Sequence, residues 1–171
     1  MDELRITKLK KLYELENLLI HYYKSQLSES EDTVFNSALT KFIKTDTVHA
    51  DYFHELFREQ DIEIPVITAA IADITGNLVG EAVELTGIGN VCRIGVSLEN
   101  QIAELYADLI EENPSSKILD ILLSYKIDKE FHALWLQRYG QFLKQQKTCT
   151  TNLIQNAIDG HPTVNMNVRL I

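Results

Sequence analysis

The chain carries an internal repeat. LENLLIHYYKSQLSESED (15–32) aligns without a gap on LENQIAELYADLIEENPS (98–115), at an offset of 83 residues. Under this offset Glu16 falls on Glu99, Tyr23 on Tyr106 and Asp32 on Ser115. Further along, Leu39 falls on Leu122, Phe42 on Tyr125, and His49-Ala50 on His132-Ala133. The apolar residues Leu12, Leu15, Leu19 and Tyr23 recur at helical spacing. The polar turn SESED breaks that pattern, with Asp32 as N-cap of a second helix. Each half therefore reads as a helical hairpin whose apolar faces need a partner. The duplication supplies one: two hairpins packed about a pseudo-twofold.

The rest of the chain fits this scheme. Helices are expected from about Asp2 to Leu27 and from Thr33 to Gln60. Pro65 opens an apolar crossover, IPVITAAIADITGNLVGEAVEL, where Gly76 and Gly80 suggest a bend. TGIGN reads as a loop or break, then helices run from about Val91 to Glu112 and from Lys117 to Lys147. TNLIQNAI reads as a short C-terminal helix, and HPTVNMNVRLI has no clear pattern. The expected division is a helical bundle over 1–147 and a short helix with tail over 148–171. The three prolines, at 65, 114 and 162, all lie near breaks.

The repeat also places polar groups in the core. Glu16 stands inside the apolar stripe of the first helix, where an unpartnered carboxylate is costly. It lies roughly 22 Å before the turn at 1.5 Å per residue, and His49 lies a similar distance after it. An antiparallel hairpin brings the two level, and the same arithmetic sets Glu99 beside His132. Two carboxylates and two imidazoles meeting in a bundle interior are a donor set suited to iron or manganese. Tyr23 and Tyr106, two turns beyond the glutamates, could hydrogen-bond ligand carboxylates.

Composition narrows the function. The net charge of −9 argues against nucleic acid and anionic membrane surfaces. Cys92 and Cys149 form no metal or disulfide pattern, and MDELRITKLKK lacks the apolar run of a signal peptide. A reducing, cytoplasmic location is expected. No run of about 18 apolar residues predicts a spanning helix. No nucleophilic triad or phosphate loop stands out, and GIGN lacks the spacing of one. His21 and His54 lie one position off the site stripe and are expected to be partly exposed. Trp135, Phe53 and Phe57 are expected to pack, and Glu29, Glu31, Asp32, Glu111 and Glu112 to be solvated turn charges.

Glu16-x6-Tyr23-x2-Gln26, the crossover ITGNLVGEAVELTGIGN and Glu99-x6-Tyr106 together resemble the ferritin-like di-iron carboxylate superfamily. The nearest likeness is to its demethoxyubiquinone hydroxylase branch, over about residues 5–145. The resemblance implies an all-α, ferritin-like four-helix bundle with a metal centre. It also implies Glu-x-x-His on the second helix of each half, with the Glu bridging two metals. The chain departs from this twice. KTDTVHADYF supplies Asp46-x-x-His49, a shorter carboxylate. KIDKEFHALW supplies Lys129 three before His132, and a protonated lysine cannot be a ligand. Its ammonium could take the second metal's place, or Asp128, four before His132, could ligate instead. Glu130 should face solvent.

The expected metal ligands are thus Glu16, Asp46, His49, Glu99 and His132. The expected cofactor is iron or manganese, one or two per chain. Charge counting favours one, because Glu16, Asp46 and Glu99 against Lys129 leave two negative charges for one divalent ion. Two function classes follow. One is an oxidoreductase using O₂ or peroxide, by resemblance a hydroxylase of a small apolar or quinone-like substrate. The other is a non-enzymatic ferritin-like module with a degraded mononuclear or metal-free site. The absence of a cysteine cluster counts against a rubrerythrin-type peroxidase. A homo-oligomer is expected, and peripheral membrane contact is left open.

Overall fold

The computed structural model describes residues 3–27, 30–65, 87–112 and 116–158. Among these the chain is all helix: α1 (Glu3–Leu27), α2 (Thr33–Glu59), α3 (Ile88–Glu111) and α4 (Ser116–Ile158). They pack as a four-helix bundle. The crossover with Gly76 and Gly80 and the tail from residue 159 lie outside the described residues.

Side-chain pairs across the bundle fix its directions. Tyr13 meets Phe57, Glu16 meets His49 and Tyr23 meets Phe42, so α1 and α2 are antiparallel. Tyr23 meets Glu99 while Glu16 meets Tyr106, so α1 and α3 are antiparallel too. The core is filled by Leu12, Leu19 and Tyr23, by Phe35, Leu39, Phe53 and Phe57, by Ile102, Tyr106 and Leu109, and by Leu122 and Leu136. These residues recur every three or four positions, the spacing that aims one helical face inward.

Local chemistry explains the helix ends. Asp32 Oδ1 accepts from the backbone N–H groups of Val34 and Phe35, both at 3.0 Å. Such a cap stabilises a helix by about 0.5–2 kcal/mol. Its other oxygen accepts from Tyr139 at 2.6 Å, which ties the first turn to α4. Gly87 precedes α3 at φ 106°, a conformation that disfavours side chains. At Gly95 a Cβ would lie 2.7 Å from Leu136 Cδ1 and 3.2 Å from the Tyr23 hydroxyl. A side chain at this position would have to displace the Leu136 side chain.

Three expectations need correction. Residues 151–158 are no separate helix but continue α4, because Thr148–Asn152 contains no glycine or proline to stop it. TGIGN is not wholly a break, since α3 begins at Ile88 within it. Glu112 is not merely a solvated turn charge but is paired with Arg5 and Lys8 of α1, whereas Asp32 caps α2 as expected. No described helix is long and apolar enough to cross a membrane.

Candidate metal centre

Six polar residues are buried in the middle of the bundle: Glu16, Asp46, His49, Glu99, Lys129 and His132. Each sits on the inward stripe of its helix, so ordinary helical periodicity carries them into the core. Glu16 Oε1 lies 3.2 Å from His49 Nδ1 and accepts from Tyr106 at 2.7 Å. Glu99 Oε1 lies 3.3 Å from His132 Nδ1 and accepts from Tyr23 at 2.7 Å. These two sets exchange under the 83-residue offset. The aromatic rings obey the same rule: Phe42 stacks on His132 at 3.9 Å between centroids, and Tyr125 stacks on His49 at 3.8 Å. Phe42 meets Trp135 edge-on at 5.7 Å, and Tyr125 meets Tyr52 edge-on at 5.8 Å.

The symmetry breaks where Asp46 faces its own counterpart, Lys129. The lysine is fully buried and points inward. Its Nζ lies 2.5 Å from Asp46 Oδ1, 2.6 Å from Glu16 Oε2 and 3.4 Å from Glu99 Oε2. The first is an aligned hydrogen bond; the other two are ion contacts off the hydrogen-bond direction. Asp128 does not enter the cluster. Its side chain is 42% exposed and touches His49 Nε2 from outside at 3.2 Å. Glu130 is exposed and pairs with Lys126. His21 is exposed, and His54 is half-buried beside Tyr13.

The electrostatics follow from this arrangement. Burial lowers the Lys129 pKa, but Asp46, Glu16 and Glu99 outweigh it and hold the ammonium charged above 10.5. Burial raises Glu16, yet Lys129 and His49 outweigh it and leave the carboxyl below 4.5. At Asp46 burial wins: Lys129 pulls down, Glu99 and Glu16 push up, and the carboxyl ends well above 3.8. Glu16 and Asp46 are thus pushed in opposite directions by one shared ammonium and by burial. Tyr23 and Tyr106 are both raised well above 10.0, by burial and by the carboxylates they touch, so they remain hydroxyl donors.

Among the described residues two buried groupings could hold a metal, Glu16–Asp46–His49 and Asp46–Glu99–His132, each with ligand atoms within 4.8 Å of one another. Bonds of about 2.1 Å at right angles separate neighbouring ligand atoms by about 3.0 Å. The His–carboxylate spacings of 3.2 and 3.3 Å are close to that value. The groupings differ in what remains unused. Asp46 Oδ2, Glu99 Oε2 and His132 Nδ1 are buried without a hydrogen-bond partner. Glu16 Oε2 also lacks one, and the Lys129 ammonium stands nearer to it than to Glu99 Oε2, at 2.6 against 3.4 Å, while His132 Nδ1 lies 3.3 Å from Glu99 Oε1. Buried polar atoms are rarely left unpaired, so Asp46 Oδ2 is the group that a cation would satisfy.

No protein-family model and no curated protein matches the chain. A solved structure is similar, that of a conserved hypothetical protein from Mycobacterium tuberculosis. It aligns with a TM-score of 0.67 at 13% identity, over 81% of this chain and 99% of that one. At that identity the likeness shows the helical fold alone. The clustered carboxylates and histidines are therefore what speaks to function.

The stacked rings were not singled out as site features from sequence, although the repeat had paired Phe42 with Tyr125. Their places, seven before each histidine, hold the signal. Seven residues are about two helical turns and return to the same face.

Proposed function

We propose that this chain is a ferritin-like metalloprotein that holds one iron or manganese ion between Asp46, Glu99 and His132. The single observation carrying this reading is the buried grouping Asp46–Glu99–His132, whose ligand atoms lie within 4.8 Å of one another, with Asp46 Oδ2 left without a hydrogen-bond partner. A divalent ion there, with the Lys129 charge, would balance the three carboxylates of the core. Glu16 and His49 would then be the counterpart half, engaged by Lys129 rather than by a second ion. The demethoxyubiquinone hydroxylase likeness of the sequence favours O₂ or peroxide chemistry on a small apolar substrate, with the ion as redox centre. The second reading, a non-enzymatic metal-binding module, draws its support from Lys129 occupying the middle of the site.

The chain's own groups would do the following. Tyr23 donates to Glu99 and fixes the carboxylate's rotamer. Phe42 stacks on the His132 ring and holds its orientation. Asp46 gives up its proton when a cation arrives, so uptake releases acid. Lys129 keeps the site from needing a second cation. The surrounding Leu and Phe side chains exclude water, which strengthens each charge interaction.

Elemental analysis of protein purified without added metal tests the reading. About one iron or manganese atom per chain, lost in Asp46→Ala and His132→Ala, supports it. The absence of both metals, with no uptake on addition, contradicts it.

A further inference from the structure

Away from the buried cluster, a cavity of about 560 Å³ opens between the start of α3 and the middle of α4. Its size falls within the roughly 300–1,000 Å³ typical of small-molecule sites. Ile88, Cys92, Val96, Leu136 and Leu143 make its body apolar. Burial pushes the Cys92 thiol up to about 12, so it stays neutral. The charged lining is one-signed: Arg93, Lys144 and Lys147, with no Asp or Glu among the described residues that line it. In a chain with 25 acidic and 16 basic residues this is a marked local reversal. Gly140 keeps one wall low, since a Cβ there would lie 3.3 Å from Cys92 Cβ. The inner wall at Leu136 abuts Gly95, and Gly95 also lies against the Tyr23 hydroxyl, which donates to Glu99.

We propose that this cavity binds a small amphipathic carboxylate, its apolar body against Val96 and Leu136 and its anionic end between Lys144 and Lys147. The apolar lining supplies affinity through burial, and the one-signed rim selects the anion. The bound apolar end would lie beside the Tyr23–Glu99 side of the core. In that respect the inference extends the metal reading, but the cavity itself does not depend on a metal.

Titration calorimetry on the full chain, stripped of metal, tests it with decanoate, decanol and decyltrimethylammonium below their micellar concentrations. Decanoate should bind once per chain, about tenfold or more tighter than decanol, with the cation weakest. Lys144→Glu with Lys147→Glu, both on the surface, should remove that preference and leave decanol binding unchanged. Val96→Trp, checked for helicity, should weaken both decanoate and decanol by filling the cavity. Equal binding of all three probes, or decanoate binding indifferent to these variants, overturns the proposal. So does uptake of decanoate only from anionic vesicles, which would mark a membrane-facing surface. Decanoate binding by a chain that takes up no metal would sink the metal reading and keep this one.

Discussion

The two halves of the buried cluster use the same parts and end in different states. In the first, Glu16 and His49 are occupied: Tyr106 and Lys129 hold the carboxylate, and both imidazole nitrogens face carboxylate oxygens. In the second, Glu99 and His132 repeat the geometry, but Lys129 stands further from Glu99, at 3.4 Å against 2.6 Å for Glu16. The backbone is not the source of the difference, since the ring stacks and tyrosine hydrogen bonds exchange under the offset. One side chain is the source. Where symmetry asks for a second carboxylate opposite Asp46, the chain has an ammonium. A duplicated bundle can thus keep its architecture and change the charge of its core through a single residue.

The most forceful way to break the comparison is to remove that charge. Lys129→Met leaves Glu16, Asp46 and Glu99 without their buried cation. It should destabilise the metal-free protein by about 3–5 kcal/mol, with part recovered on adding metal. Urea denaturation with and without metal reads this directly. Lys129→Glu should instead make the halves alike and raise the metal content towards two per chain.

Histidine substitutions sharpen the comparison next. His132→Ala should weaken metal binding by more than about 100-fold, beyond the 10–100-fold typical of groups that only support ligands. His49→Ala should fall within or below that supporting range. Competition against a metallochromic chelator separates the two. A smaller contrast is expected from the tyrosines. Tyr23→Phe and Tyr106→Phe each lose a buried hydrogen bond to a carboxylate, on the order of 1.5–3 kcal/mol of stability. Only Tyr23→Phe should also lower metal affinity, by about tenfold.

The gentlest probe is pH. Asp46 is raised above 3.8 in the folded protein, so the folded state holds its proton more tightly than the unfolded one. The metal-free protein should therefore lose stability as pH rises from 3.8 through the folded value. Glu16 has the opposite sign: its contribution is present above 4.5 and lost as pH falls. Asp46→Asn should remove the first slope and leave the second. Denaturation midpoints across that range, measured without metal, show which slope survives.

Much of the site was readable because its logic is periodic. Glu16 and His49 could be set level from helix rise alone, and the offset then carried the result to Glu99 and His132. Lys129 was legible as a departure because the repeat fixed where it had to sit. Lys129 inward, with Asp128 as the competing choice, was legible from the three carboxylates it would face, and its Nζ does lie against Asp46, Glu16 and Glu99 while Asp128 stays outside. The continuity of α4 past Lys147 was missed because a threonine-rich stretch reads as a weak helix former, yet weak propensity without glycine or proline does not stop a helix. The pairing of Glu112 with Arg5 and Lys8, and the cavity beside Cys92, depend on contacts between distant segments, which no local pattern encodes.

The central claim is that one side of a symmetric cluster takes an ion while the other is closed by Lys129. A crystal structure of the metal-loaded protein, with anomalous scattering collected at the metal's absorption edge, tests this most directly. The account predicts one peak per chain, bonded to Asp46, Glu99 and His132, with Lys129 Nζ still against Glu16. Two peaks per chain, or one peak at Glu16 and His49 with Lys129 displaced, would contradict it.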